Sequence, residues 1–108
     1  GVHTNSSVLN HWYYLLAAGG QGVNDNNDTF NIQGVGVDTA GKIAFRTLTV
    51  YLTNTSNFAD CRFYSIQAAM DLYGPCSLPL QSTTSAFYAV GVGPDYVPGV
   101  NADFNAGI

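Results

Sequence analysis

Asn57-Phe58-Ala59-Asp60-Cys61-Arg62-Phe63-Tyr64-Ser65-Ile66-Gln67-Ala68-Ala69-Met70-Asp71-Leu72-Tyr73-Gly74-Pro75 is the stretch from which the fold is read. Asn57 is suited to an N-cap, and Asp60 falls near the positive end of the helix dipole. Phe63, Ile66, Met70 and Tyr73 recur at helical spacing as a core stripe, and Gly74-Pro75 stops the run. The spacing predicts a helix over Phe58 to Tyr73. Immediately after it, Ser77 caps a second helix from Leu78 to Val90. Pro79 is tolerated in the first turn there, and Leu80, Thr84, Phe87 and Val90 share a face.

Upstream, two more segments take the same period. Asn5 to Ala18 places Val8, Leu9, Trp12, Leu15 and Leu16 on one side, and Gly19-Gly20 ends it. Asp38 to Leu52 carries Ile43, Phe45, Leu48, Val50, Tyr51 and Leu52. Asp38 and Lys42 are spaced there as an i, i+4 ion pair. Its Thr47, Thr49 and Val50 are β-branched and also suit a strand. Between these helices Asn24 to Asp28 reads as an exposed turn, and Thr29 to Val37 as an extended strand or short hairpin. From Gly91 onward Gly, Pro, Asn and Asp crowd together and the helical period is lost. The expected fold class is all-α. It is a small antiparallel helical bundle of four main helices, with a short strand or hairpin in the 21–37 loop.

Composition narrows the function. The 108 residues carry a net charge of −4, with 46% hydrophobic and only 9% charged. Lys42, Arg46 and Arg62 are the only cations, too few to neutralise a run of phosphates, so nucleic acid is excluded as a partner. Apolar runs such as Tyr13 to Ala18 fall well short of the roughly 20 residues that cross a bilayer, so no membrane span is expected. All seven acids are Asp, and there is no Glu. The opening Gly1 reads as a cut point inside a longer precursor. The Asn-, Ser-, Thr- and Gly-rich polar complement suggests a secreted, extracellular bacterial protein.

Few residues suit chemistry. His3 and His11 stand eight apart, not at the i, i+4 spacing of a zinc-binding helix pair, and no Glu joins them. The Asn-Asp cluster lacks the central Gly and bidentate Glu of a helix-loop-helix calcium site. Cys61 and Cys76 form a pair by count only. An unbroken helix from Cys61 to Tyr73 spans about 18 Å at about 1.5 Å per residue. A disulfide needs α-carbons within about 7 Å, so the two are expected not to be bonded to each other. His3 remains, in a polar segment that no apolar periodicity explains and ahead of the predicted helix start. An imidazole there can donate a hydrogen bond into a cleft near neutral pH.

The segment Gly1-Val2-His3-Thr4-Asn5-Ser6, continuing through Val8, Leu9 and Asn10, resembles the active-site histidine motif of thermolysin-like zinc metalloproteases. Further stretches follow in the same order as in that family's C-terminal helical domain. They are Gly41-Lys42-Ile43-Ala44-Phe45-Arg46-Thr47-Leu48, Tyr51 to Phe58, Asp71-Leu72-Tyr73-Gly74 and Ala89-Val90-Gly91-Val92. The long Asn-Asp loop and Trp12-Tyr13-Tyr14 are more similar to the vibriolysin-like branch. The resemblance covers 1–92 and leaves 93–108 as a tail or a linker to a further domain.

The resemblance implies that His3 is the catalytic residue that hydrogen-bonds the oxyanion, without binding metal. It implies no cofactor in this chain, since the zinc belongs to an N-terminal domain of the same precursor. That domain and a peptide or protein substrate are the implied partners. The fragment is expected to form one wall of the cleft and to be inactive alone. Self-association is expected if the face meant for the other domain is left open. A non-catalytic extracellular binding module, descended from such a protease, is the alternative reading.

Overall fold

The computed structural model describes the backbone of residues 2–98 and the side chains of residues 7–98. The chain runs α1 (Val2–Ala18), β1 (Gly19–Val23), β2 (Thr29–Gln33), α2 (Val37–Arg46), a π-helical turn (Thr47–Tyr51), α3 (Phe58–Tyr73) and α4 (Leu78–Ala89). It is a four-helix, mainly helical fold with one antiparallel hairpin, in which Gly19 faces Gln33 and Val23 faces Thr29.

α3 keeps its predicted ends because its caps are complete. The Asn57 side chain accepts from the Asp60 N–H at 2.8 Å, and Asp60 accepts in return from the Asn57 N–H at 3.0 Å. This reciprocal box satisfies two N–H groups that a helix start otherwise leaves open. Ser77 caps α4 through the Leu80 N–H. The expected α3 stripe needs correction. Ile66 is buried and Met70 half-buried, but Phe63 and Tyr73 are exposed, and the inward face is Cys61, Ser65, Ile66, Ala68 and Ala69. Small residues face the core because they let α4 approach closely, and the larger aromatics are left at the rim.

Other expectations are revised or extended. α1 begins at Val2, not Asn5, so His3 lies within its first turn. Gly19-Gly20 ends α1 and also starts β1. The returning chain comes so close that a Cβ on Gly19 would stand 2.6 Å from the Gly34 nitrogen. There the Val35 and Gly36 N–H groups donate to the Leu16 and Ala17 carbonyls, which a helix end leaves without partners. The second predicted helix is regular only to Arg46. From there the Leu52 N–H reaches back five residues to the Thr47 carbonyl. Thr47 and Thr49 hydroxyls donate to the Ile43 and Phe45 carbonyls four residues back, at 2.7 Å each. Such back-bonding by hydroxyl residues loosens and bends helices. No Asp38–Lys42 ion pair forms. The ion pair among the described residues joins Arg46 to Asp71 at 2.9 Å.

The core gathers Trp12, Leu15 and Leu16 from α1, Ile32 from β2, Ala40 and Ile43 from α2, and Leu80, Ala86 and Phe87 from α4. Phe87 is fully buried and stacks on Trp12 with ring centroids 4.6 Å apart. Beyond α4, Val92 and Tyr96 pack against this core, and Arg62 donates to the Pro94 carbonyl. Residues 99–108, the end of the predicted tail, lie outside the described residues. Among the described residues no helix is long and apolar enough to cross a membrane.

Candidate functional site at the start of α1

His3 sits one residue after the α1 start at Val2, and its side chain lies outside the described residues. The helix carrying it is held firmly further along. Trp12 Nε1 donates to the Thr83 carbonyl, and Leu15 and Leu16 are enclosed by the core. The first turn of a 17-residue helix presents N–H groups without intrahelical partners, and its dipole favours negative charge there.

One turn past His3 the surface hollows. Ser7, Val8 and His11 of α1 face the hairpin tip Val23–Asn26, Phe30 and the α4 end at Ala89–Gly91, around a cavity of about 510 Å³. The tip is rigidly placed by Asn24. Its Oδ1 accepts from the Asn26 and Asp28 N–H groups at 2.9 and 3.0 Å. Its amide donates to the Tyr88 and Ala89 carbonyls, and Asn27 adopts φ 65°. The expected exposed turn is therefore also an anchor tying the hairpin to α4. Only the Asn-Asp run hinted at this, since Asn at the first position of a turn caps the following N–H groups.

On the other flank of α1 a smaller apolar cavity of about 200 Å³ is lined by Leu9, Trp12, Leu48, Leu52 and Cys61, among others. Both cysteines are free, Cys61 buried and Cys76 exposed. Burial, and then the neighbouring Asp60 charge, push the Cys61 thiol up. It is the inert kind of thiol, not a nucleophile.

An electrostatic cluster joins α2, the π turn and α3. Asp71 accepts from Arg46 Nε at 2.9 Å, Gln67 Nε2 at 3.1 Å and the Tyr51 hydroxyl. The Tyr51 hydrogen bond is the main reason its carboxyl is held below the usual range. The same bond holds the Tyr51 phenol up. This cluster pins the π turn to α3. Periodicity could not foresee it, because it joins residues 25 apart in sequence.

Among the described residues no three His, Cys, Asp or Glu side chains converge on a point that could hold a metal. His11 shares its cavity with Asp25 alone among such described side chains. These residues do not fit a metal-holding role.

Comparison with known proteins bears on the same stretch. The family model for the thermolysin metallopeptidase alpha-helical domain matches residues 1–92. The chain is similar to thermostable neutral protease NprT of Geobacillus stearothermophilus, 49% identical over 94 residues, covering 85% of this chain and 16% of that protein. Thermolysin of Alicyclobacillus acidocaldarius subsp. acidocaldarius is 48% identical over 94 residues, with the same 85% and 16% coverage. Bacillolysin of Bacillus cereus is 40% identical over 92 residues, covering 85% of this chain and 15% of that protein. The chain thus spans roughly a sixth of the length of these curated relatives.

Proposed function

The chain belongs to the family of thermolysin metallopeptidase alpha-helical domains, and from this we propose that it forms one wall of a peptide-hydrolysing cleft, to which it contributes His3. The observation that carries the reading is the match over 1–92, which includes the segment Gly1-Val2-His3-Thr4-Asn5-Ser6. In the parent, a secreted bacterial endopeptidase, the His3 imidazole donates a hydrogen bond to the oxygen that gains charge as water attacks the scissile carbonyl. The α1 N-terminus supports this role, because its dipole lowers the energy of negative charge in that position.

A zinc ion supplies Lewis-acid polarisation of the carbonyl in such enzymes. Its ligands and the water-activating base belong to the polypeptide preceding Gly1, the implied N-terminal domain. The absence of Glu from these 108 residues supports that division. The fragment alone is therefore inactive, and the peptide substrate lies between the two parts.

Replacing His3 by Ala in the parent enzyme should lower kcat/KM by about 100- to 1,000-fold, the cost of one oxyanion donor. Zinc content by atomic absorption should stay at the wild-type level. Unchanged turnover, or loss of zinc with turnover, would refute the assigned role.

A further inference from the structure

We propose that the cavity between α1, the hairpin tip and the end of α4 is a specificity subsite that takes a lysine or arginine side chain of the peptide substrate, away from the scissile bond. The inference rests on the reading of this chain as one wall of a peptide-hydrolysing cleft, and it names a preference of that cleft.

The site follows from where α1 leads. His3, Ser7 and His11 recur at four-residue steps, so the three positions fall along one side of the helix. Ser7 and His11 line the cavity, and Ser7 lies about 6 Å beyond His3 along the helix at about 1.5 Å per residue. An extended peptide advances about 3.3 Å per residue. A substrate side chain two to four positions from a bond cleaved at His3 therefore reaches the cavity.

The lining selects the class of side chain. Val8, Val23, Phe30 and Val90 offer apolar walls, which suit the aliphatic stem of lysine or arginine. The charge beside those walls is negative. Asp25 lines the cavity, is exposed and has no ion-pair partner among the described residues. The cavity also meets the end of α4 at Ala89–Gly91. This is the negative pole of a 12-residue helix whose last turn holds no basic residue. Lys42, Arg46 and Arg62 all lie away from the lining. A carboxylate-bearing side chain would be repelled by both features, and a purely apolar one would leave Asp25 unused. The walls also stand ready before a ligand arrives. Asn24 ties the hairpin tip to α4, and the Asn26 amide nitrogen reaches to 3.6 Å from where a Cβ on Gly91 would stand. Little ordering is then required on binding.

The test measures kcat/KM of the full-length parent enzyme on fluorogenic peptides varied two to four residues from the cleaved bond, on either side. Each position carries in turn lysine, norleucine (a similar stem without the charge) or glutamate. Lysine should exceed norleucine by roughly 5- to 10-fold at one position, with glutamate lowest. Asp25→Asn should reduce that advantage to below about 2-fold, and Asp25→Lys should bring lysine below norleucine. Equal turnover of the lysine and norleucine peptides at every position would overturn the inference and leave the enzyme reading intact. So would a lysine preference untouched by both substitutions. Failure to hydrolyse any of the peptides would instead sink the enzyme reading. The cavity is then judged by photocrosslinking with peptides that carry a diazirine analogue of lysine. Attachment at Val8, Val23 or Phe30 would support a site for a cationic side chain, and attachment only elsewhere would overturn it.

Discussion

α4 and the α2–π segment invert the usual relation between side chain and burial. α4 is built largely of Ser, Thr and Ala, yet Leu80, Ser82, Thr83, Thr84, Ala86, Phe87 and Ala89 are all buried. The α2–π segment is richer in large apolar residues, yet it turns Phe45, Leu48 and Val50 outward. Position among the other elements makes the difference. α4 packs against α1, α3 and β2 together, whereas α2 packs mainly against α1 and α3 beyond its own π turn. A central helix must be slim enough for three neighbours to approach, and small residues serve that need. A flanking helix carries its apolar surplus on whichever side is uncovered.

The largest effect is expected where this comparison is sharpest. Phe87→Ala empties a fully buried site stacked on Trp12 and should cost about 3–5 kcal/mol of unfolding free energy by urea denaturation. A loss below about 1 kcal/mol would mean that α4 is not the centre of the core. The next effect has the opposite sign. Thr83 is fully buried, and its hydroxyl has no partner among the described residues. Thr83→Val keeps the shape and removes an unsatisfied group, so stability should rise by about 1 kcal/mol.

On the flanking side the effects shrink. Asp71 anchors the π turn, and its carboxyl is held below the ordinary value, chiefly by the Tyr51 hydrogen bond. The unfolded chain therefore binds the proton first as acid is added. The contribution is fully present above the ordinary carboxylate pKa and is lost as pH falls through the lower folded value. The Asp71 side chain is 24% exposed, so this contribution should be below about 1 kcal/mol. Asp71→Asn should flatten the acid limb of the stability profile measured by denaturation at a series of pH values. The smallest effect is Phe45→Ala in the chain by itself, expected within about 0.5 kcal/mol because the ring is exposed. A loss above about 1 kcal/mol by the same urea denaturation would dissolve the contrast.

Much of this was legible from local chemistry. The α3 and α4 starts follow from Asn57 and Ser77, whose side chains close helix N-termini within three residues. The hairpin was half legible, because Gly19-Gly20 reads as a helix stop. Only the chain returning at Gly34 against Ala17 and Gly19 reveals the same glycines as the base of a strand pair. Phe63 and Tyr73 were misread as core because periodicity places them on a helix face but cannot say how closely the next helix approaches. Asp38–Lys42 had the spacing for an ion pair, yet Arg46 found Asp71 on another helix.

For the site, the segment Gly1 to Ser6 pointed to His3 by its resemblance. The cavity beside His11 and the Asn24 anchor needed three elements to be brought together.

The sequence by itself determined the helices, their caps, the acidic charge and the family, because these depend on neighbours within a few residues or on the order of residues along the chain. Tertiary structure alone decided which apolar face is enclosed and which is left open, the Arg46–Tyr51–Asp71 cluster, and the placement of the hairpin tip beside α1. Burial depends on what packs against a residue, and that is settled only when distant parts of the chain meet.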